Sequence, residues 1–141
     1  MKKKLFVLLL MCVSGYAYAQ KETPKLQGIW QMCQPYEEVG VMKMRMHPFL
    51  KMLFSDGRFT NLMMEQGGKL SVITAHGTFR QTSDSTYVEH IDNSISDPAI
   101  TGKDNPLVFR FKGADLLVIS YVSTTGAKLW ELWKRLKMKI E

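Results

Sequence analysis

From Gln27 onward, apolar and polar positions alternate in short runs rich in Val, Ile, Thr, Phe and Tyr, and chain breakers cut the runs at short intervals. The breakers are Asp56-Gly57, Gly67-Gly68, Ser83-Asp84, Asp104-Asn-Pro106, Gly113-Ala-Asp115 and Thr124-Thr-Gly126. The period is two, so the pattern predicts strands, at 27–34, 47–54, 58–64, 69–80, 85–95, 106–112, 116–122 and 127–138. Phe54-Ser-Asp-Gly-Arg-Phe59 is the firmest hairpin, because Asp-Gly adopts the left-handed turn geometry without strain. Gly77 inside the fourth strand predicts a bend or bulge. The run from Ala127 to Glu141 also fits an amphipathic helix through Leu129, Trp130, Leu132, Trp133, Leu136 and Ile140, and a terminal strand is the preferred reading.

Eight antiparallel strands in a meander leave two open edges, and closing the sheet removes them. The predicted fold is therefore all-β: a single antiparallel up-and-down barrel of about eight strands, just wide enough for side chains or one small ligand. Two connections are long, 35–46 and 96–105. The first alternates Met42, Met44 and Met46 with Lys43 and Arg45, and reads either as an extension of the second strand or as a Met-faced lid.

Residues 1–19 read as a secretory signal that is cleaved, leaving one domain over 20–141. Lys2, Lys3 and Lys4 precede the apolar run Leu5–Val13, and Ala17-Tyr-Ala19 is a small-x-small cleavage site before Gln20. The run falls short of the ~20 residues of a spanning helix, so no transmembrane segment is expected in the mature chain. Leu9-Leu-Met-Cys12 is a poor lipobox, with Met11 where a small residue belongs. The expected location is thus periplasmic or extracellular without a lipid anchor. The segment carries three lysines and no acid, so its removal lowers the basic residues from 19 to 16 against 13 acids, a formal +3. So mild a charge argues against nucleic acid as a partner. Of the two cysteines only Cys33 remains, which excludes an internal disulfide and leaves stability to the apolar core. Cys33 is then a small buried hydrophobe, or a thiol for intermolecular pairing.

Gly28-Ile-Trp30 at the head of the meander, with a Trp- and Arg-rich last strand, resembles the lipocalin-like (calycin-like) barrels. The whole chain from about 26 to 138 also resembles an uncharacterised family of small exported proteins from gut Bacteroidetes. That second likeness rests on Leu26-Gln-Gly-Ile-Trp30, Phe54-Ser-Asp-Gly-Arg-Phe59, Thr74-Ala-His-Gly-Thr78, Gln81-Thr-Ser-Asp-Ser-Thr-Tyr87 and Trp130-x-x-Trp133. The resemblance implies a barrel closed by Gly28, Trp30, Trp133 and Arg135, with Lys134 as a substitute for Arg135. It implies no established ligand.

Pairing 69–80 with 85–95 around a three-residue loop sets Phe79 opposite Tyr87, Gly77 opposite Glu89, Ala75 opposite Ile91 and His76 opposite His90. Ile73, Ala75, Phe79, Tyr87, Glu89 and Ile91 then face inward. An inward carboxylate must be paired or wet: Glu89 either bridges to Arg110 or Arg135, or stands in a cavity where it orients a ligand. Tyr87, Phe79, Tyr121 and Phe109 are the other candidate ligand contacts. His76 and His90, with Asp92 or His47, lack a compact ligand spacing, so no metal and no cofactor are expected. No nucleophile elbow, zinc-protease motif or phosphate loop is present, and no enzymatic activity is expected. Two functions fit: an exported binding protein for a small apolar or amphipathic molecule, or a packed interaction module of the cell envelope that contacts a protein or glycan.

Overall fold

The computed structural model describes residues 23–137; the signal-peptide reading of residues 1–19 lies outside them. Eight strands follow in chain order: β1 Gly28–Glu38, β2 Val41–Leu53, β3 Arg58–Glu65, β4 Leu70–Gln81, β5 Thr86–Ser94, β6 Asp104–Lys112, β7 Leu116–Val122 and β8 Lys128–Arg135. Each pairs antiparallel with its neighbour, and β8 returns to β1, so the hydrogen bonds of the sheet form a closed ring. The last segment is a strand, because Glu131, Trp133 and Arg135 face inward while Trp130, Leu132 and Lys134 face the opposite way.

The expected lipocalin-like up-and-down barrel is corrected to this coarser description: an all-β antiparallel sheet with a closed ring. The wall is not regular. β1 meets β8 only over Trp30–Cys33 against Leu132–Arg135. Beyond Cys33, β1 pairs with β2 alone, and the register slips between Gln31 and Cys33. The distal halves of β1 and β2 therefore leave the ring as a two-stranded ribbon, mostly exposed on both faces. This ribbon is the segment 35–46, read from the sequence as a long connection that either extends the second strand or forms a lid; it extends the strand, since β2 begins at Val41, and its turn is Val39-Gly40, with φ of 51° and 73°.

Two register slips border β4, with the extra residue on β4 at the first and on β5, at Asp92, at the second. Thr74 is an extra residue opposite β3 between Asn61 and Leu62, and it donates to the Asn61 carbonyl at 3.2 Å. It reverses the alternation, so Ile73, expected inside, is 53 % exposed. The second slip lies between His76 and Gly77, against β5. A Cβ on Gly77 would sit 1.9 Å from the His90 carbonyl oxygen, so only glycine permits that approach. The β4–β5 register also differs from expectation. Four residues, Thr82–Ser85, separate the strands, so Phe79 opposes Glu89, Gly77 opposes Ile91 and Gln81 opposes Tyr87. A shift of two keeps the parity, and Tyr87, Glu89 and Ile91 remain inside.

Leu26, Trp30, Leu53, Phe59, Phe79, Tyr87, Phe109 and Leu117 pack one end of the ring. Phe79, Tyr87, Phe109 and Phe111 form a run of edge-to-face pairs with centroids 5.6–6.4 Å apart. Arg135 seals that end. Its guanidinium lies 4.0 Å over the Trp30 ring and donates to the Gln27 and Lys25 carbonyls. The Trp30 indole N–H donates to the Leu26 carbonyl at 2.8 Å. Gly28 has φ of +147°, and a Cβ there would meet Arg135 Nη1 at 2.5 Å, so glycine makes room for the guanidinium.

Candidate functional site

The other end of the ring holds a cavity of about 260 Å³. Strand alternation brings unlike groups into it. Lys51 enters from β2 between Phe49 and Leu53, Asn61 from β3, Glu89 from β5, and Glu131 from β8 beside Trp133. Tyr121 comes from β7. Ser96, Asp97 and Ile100, from the connection before β6, line the mouth. That connection is fixed by a short 3-10 turn at Pro98–Ile100, where the Asp97 carboxylate accepts the Ala99 N–H at 3.2 Å.

At the floor, Lys51 Nζ donates to Glu89 Oε1 at 2.6 Å, with both side chains only 4 % exposed. This corrects the expected partners: neither Arg110, which is exposed, nor Arg135, which seals the far end, bridges to Glu89. The ammonium also stands 5.4 Å from the Phe59 ring centre and 5.9 Å from that of Trp133, so ring faces supplement the carboxylate. Tyr87 Oη donates to the same Glu89 oxygen at 3.2 Å. Burial, with the Glu89 charge beside it, pushes the Tyr87 hydroxyl well above the ordinary phenol range.

A second carboxylate stands higher in the cavity. Glu131 accepts from Tyr121 Oη at 3.0 Å and from the Trp133 indole N–H at 2.9 Å. Partial burial and the Glu131 charge raise the Tyr121 hydroxyl as well. Asn61 Oδ1 is buried with no protein partner. Glu89, Glu131 and Asp97 against Lys51 give the lining an excess of negative charge and of hydrogen-bond acceptors.

Glu89 and Tyr121 thus line the cavity. Tyr87, Phe79 and Phe109 do not: they belong to the packed core below it. Trp133 reaches the cavity wall, while Trp30, Gly28 and Arg135 meet at the sealed end. The histidines do not come together across the β4–β5 pair: His76 opposes Asn93, and His90 opposes Thr78. His90 Nδ1 instead lies 2.7 Å from Asp104, on the outer face. His47 is on β2, where its carbonyl accepts from the Gln31 side chain. Among the described residues no three of His, Cys, Asp and Glu come within reach of one ion. Sequence reasoning missed Lys51, Asn61 and Glu131, although each is a polar residue at inward parity between apolar ones, the same signal that singled out Glu89.

Residues 25–141 match a family described as Domain of unknown function (DUF4488). The chain belongs to this family. No curated protein matches it. The lipocalin and calycin resemblance, and the link to gut Bacteroidetes, are corrected accordingly: the match is to DUF4488, and neither comparison ties the chain to those groups. Among the described residues no helix is long and apolar enough to cross a membrane.

Proposed function

We propose that this DUF4488 protein is an exported binding protein for a small amphipathic molecule, taken into the cavity above the Lys51–Glu89 pair. The observation that carries the reading is Asn61 Oδ1, a buried acceptor with no partner, on the wall of that cavity. A buried acceptor left unpaired costs about 1–3 kcal/mol, and a ligand donor bonded to it recovers that cost. The volume of about 260 Å³ suits a compact ligand. Its apolar part lies against Met32, Phe49, Ile91 and Trp133, and its donors, hydroxyl or amine, face Asn61 and Glu131. Export follows from the lysine-led apolar N-terminus, and intact mass spectrometry of the mature protein is expected to show Gln20 as its first residue.

The binding test uses small aromatic amines, alcohols and carboxylates of matched size, followed by chemical-shift changes and by Trp133 fluorescence. Amines and alcohols are expected to bind and carboxylates to be rejected, and Asn61→Leu is expected to weaken binding while leaving the fold intact. Binding that ignores Asn61→Leu, or no binding by any donor, overturns the reading.

A second reading, the interaction module, draws on the outer face. A groove of about 600 Å³ runs there, lined by Val108, Val118, Trp130 and Leu132 with Pro35, and Arg110 and Lys112 stand at its rim. Trp130 is 64 % exposed in it, and large exposed aromatics are characteristic of contact surfaces. Trp130→Ala is expected to abolish capture of an envelope partner in this reading, and to leave small-molecule binding unchanged in the first.

A further inference from the structure

The β1–β2 ribbon carries a second set of side chains that neither reading uses. From Val41 to Met46 every second residue is methionine. The register sets Met46 opposite Cys33, Met44 opposite Pro35 and Met42 opposite Glu37. Alternation therefore gathers the sulfurs of Cys33, Met44 and Met46 on one face and turns Lys43 and Arg45 to the other. The two cations are occupied there: Lys43 is paired with Glu38, and Arg45 lies 4.9 Å over the Tyr36 ring. On the sulfur face, Met44 and Met46 are 36 % and 38 % exposed, while Cys33 is buried against Val118 and Leu132.

We propose that Cys33, Met44 and Met46 form a binding site for a soft monovalent metal ion, Cu(I) or its redox-inert analogue Ag(I). Spacing selects these three. Opposed residues of an antiparallel pair hold their Cβ atoms about 4.5–5.5 Å apart, which suits Cys33 and Met46. Same-face neighbours along a strand are about 6.7 Å apart, a gap that two methionine side chains, each with three rotatable bonds, close between their sulfurs. Met42 is about 13 Å from Met46 along the same strand, too far to share the ion. Thioether and thiolate are soft donors, which favour Cu(I) over the harder divalent ions.

Charge points the same way. Binding replaces the S–H proton: the S–metal bond forms, the S–H bond breaks, and one proton leaves to solvent for each ion bound. A monovalent ion and a thiolate make a neutral unit, which costs less to bury beside Val118 and Leu132 than a divalent ion with the same ligands. The half-exposed thioethers leave one side open for the ion to enter.

The test uses the full chain with Cys12→Ser throughout, so that Cys33 is the remaining thiol. Cu(I) is titrated anaerobically against a colorimetric chelator, and Ag(I) is titrated into protein carrying ¹³C-methyl methionine. One equivalent of metal is expected to bind with release of one proton, moving the Met44 and Met46 methyl signals and leaving Met52 and Met63 in place. Met44→Leu and Met46→Leu, shape-preserving changes at half-exposed positions, are each expected to weaken binding about tenfold or more, and Met42→Leu less than about twofold. Cys33→Ser is expected to abolish the proton release; circular dichroism of each variant confirms its fold. Binding unaffected by Met44→Leu and Met46→Leu marks a bare thiol and overturns the proposal. No competition with the chelator by the folded parent also overturns it, and leaves the methionine face as an apolar contact surface.

Discussion

Both ends of the closed sheet place a cation beside an indole, and they neutralise it differently. At the sealed end Arg135 covers Trp30 and gives its hydrogen bonds to backbone carbonyls, with the guanidinium still reached by water. At the cavity end Lys51 stands near Trp133, almost wholly buried, and ion-pairs with Glu89. The difference follows from depth. A rim cation keeps part of its hydration, and the ring face with two carbonyls replaces the rest. A cation inside the ring has lost its water and needs a full counter-charge. The sealed end is therefore a packing device, while the cavity end is an electrostatic one whose acceptors exceed its donors.

Removing the plug tests the first half of that contrast. Trp30→Ala is expected to destabilise the fold by about 3–5 kcal/mol, the usual cost of truncating a buried large aromatic. Urea unfolding measures it, and a loss below about 1 kcal/mol denies Trp30 its closing role. Next, Lys51→Met leaves Glu89 without its counter-charge. A buried pair broken on one side costs about 3–5 kcal/mol, and Glu89, almost wholly buried, is then left as an uncompensated charge. The double change Lys51→Met with Glu89→Leu is expected to restore stability to within about 1 kcal/mol of the parent or to exceed it. A double variant as unstable as the single one shows that the pair's packing, not its charge, matters.

Arg135→Ala is expected to cost less, about 1–2 kcal/mol, since it removes one exposed-edge cation–π contact and two hydrogen bonds without stranding a charge. Added salt is expected to leave that loss nearly unchanged, because no ion pair is involved. The smallest effect at neutral pH concerns the two tyrosines. Both hydroxyls are held above the ordinary phenol range in the folded protein. The native state therefore keeps protons that the unfolded chain gives up near pH ~10, so the stability they add is complete below that pH and is lost as pH rises above it. Phenolate absorbance during alkaline titration is expected to show Tyr121, which is partly hydrated, ionising before Tyr87, which ionises only with unfolding. Tyr121→Phe removes the Tyr121 step from the titration, and an unchanged titration in that variant contradicts the assignment.

Much of the architecture was legible because a sheet with one dry face writes its period into the chain. Gly77, placed in the sequence as a bend, sits at a register slip where a Cβ has no room. Glu89 stood out as a charge at inward parity, and it is inside. The ribbon was less legible. Glu38-Val-Gly-Val41 carries no Asn-Gly or Asp-Gly signal, and Val39 is forced to a positive φ that valine rarely adopts. The extra residue at Thr74 was invisible for a similar reason: nothing in Val72-Ile-Thr-Ala75 distinguishes a bulge from continued alternation, yet it turned Ile73 to solvent.

The sequence by itself determined that the described chain is antiparallel β, which of its residues share a face along most strands, and that a carboxylate lies among apolar side chains. Those properties are local: each depends on a residue and its neighbours two positions away. Only the tertiary structure decided that Lys51, 38 residues from Glu89 in the chain, is its partner, that Asn61 is left without one, and that Phe79, Tyr87 and Phe109 fill one end while Tyr121 lines the open one. Those depend on register, and a register is set by loop lengths and bulges that shift every later contact by whole residues. The same dependence makes Cys33 and Met46 neighbours, since their meeting rests on a two-residue turn that the hydrophobic pattern does not encode.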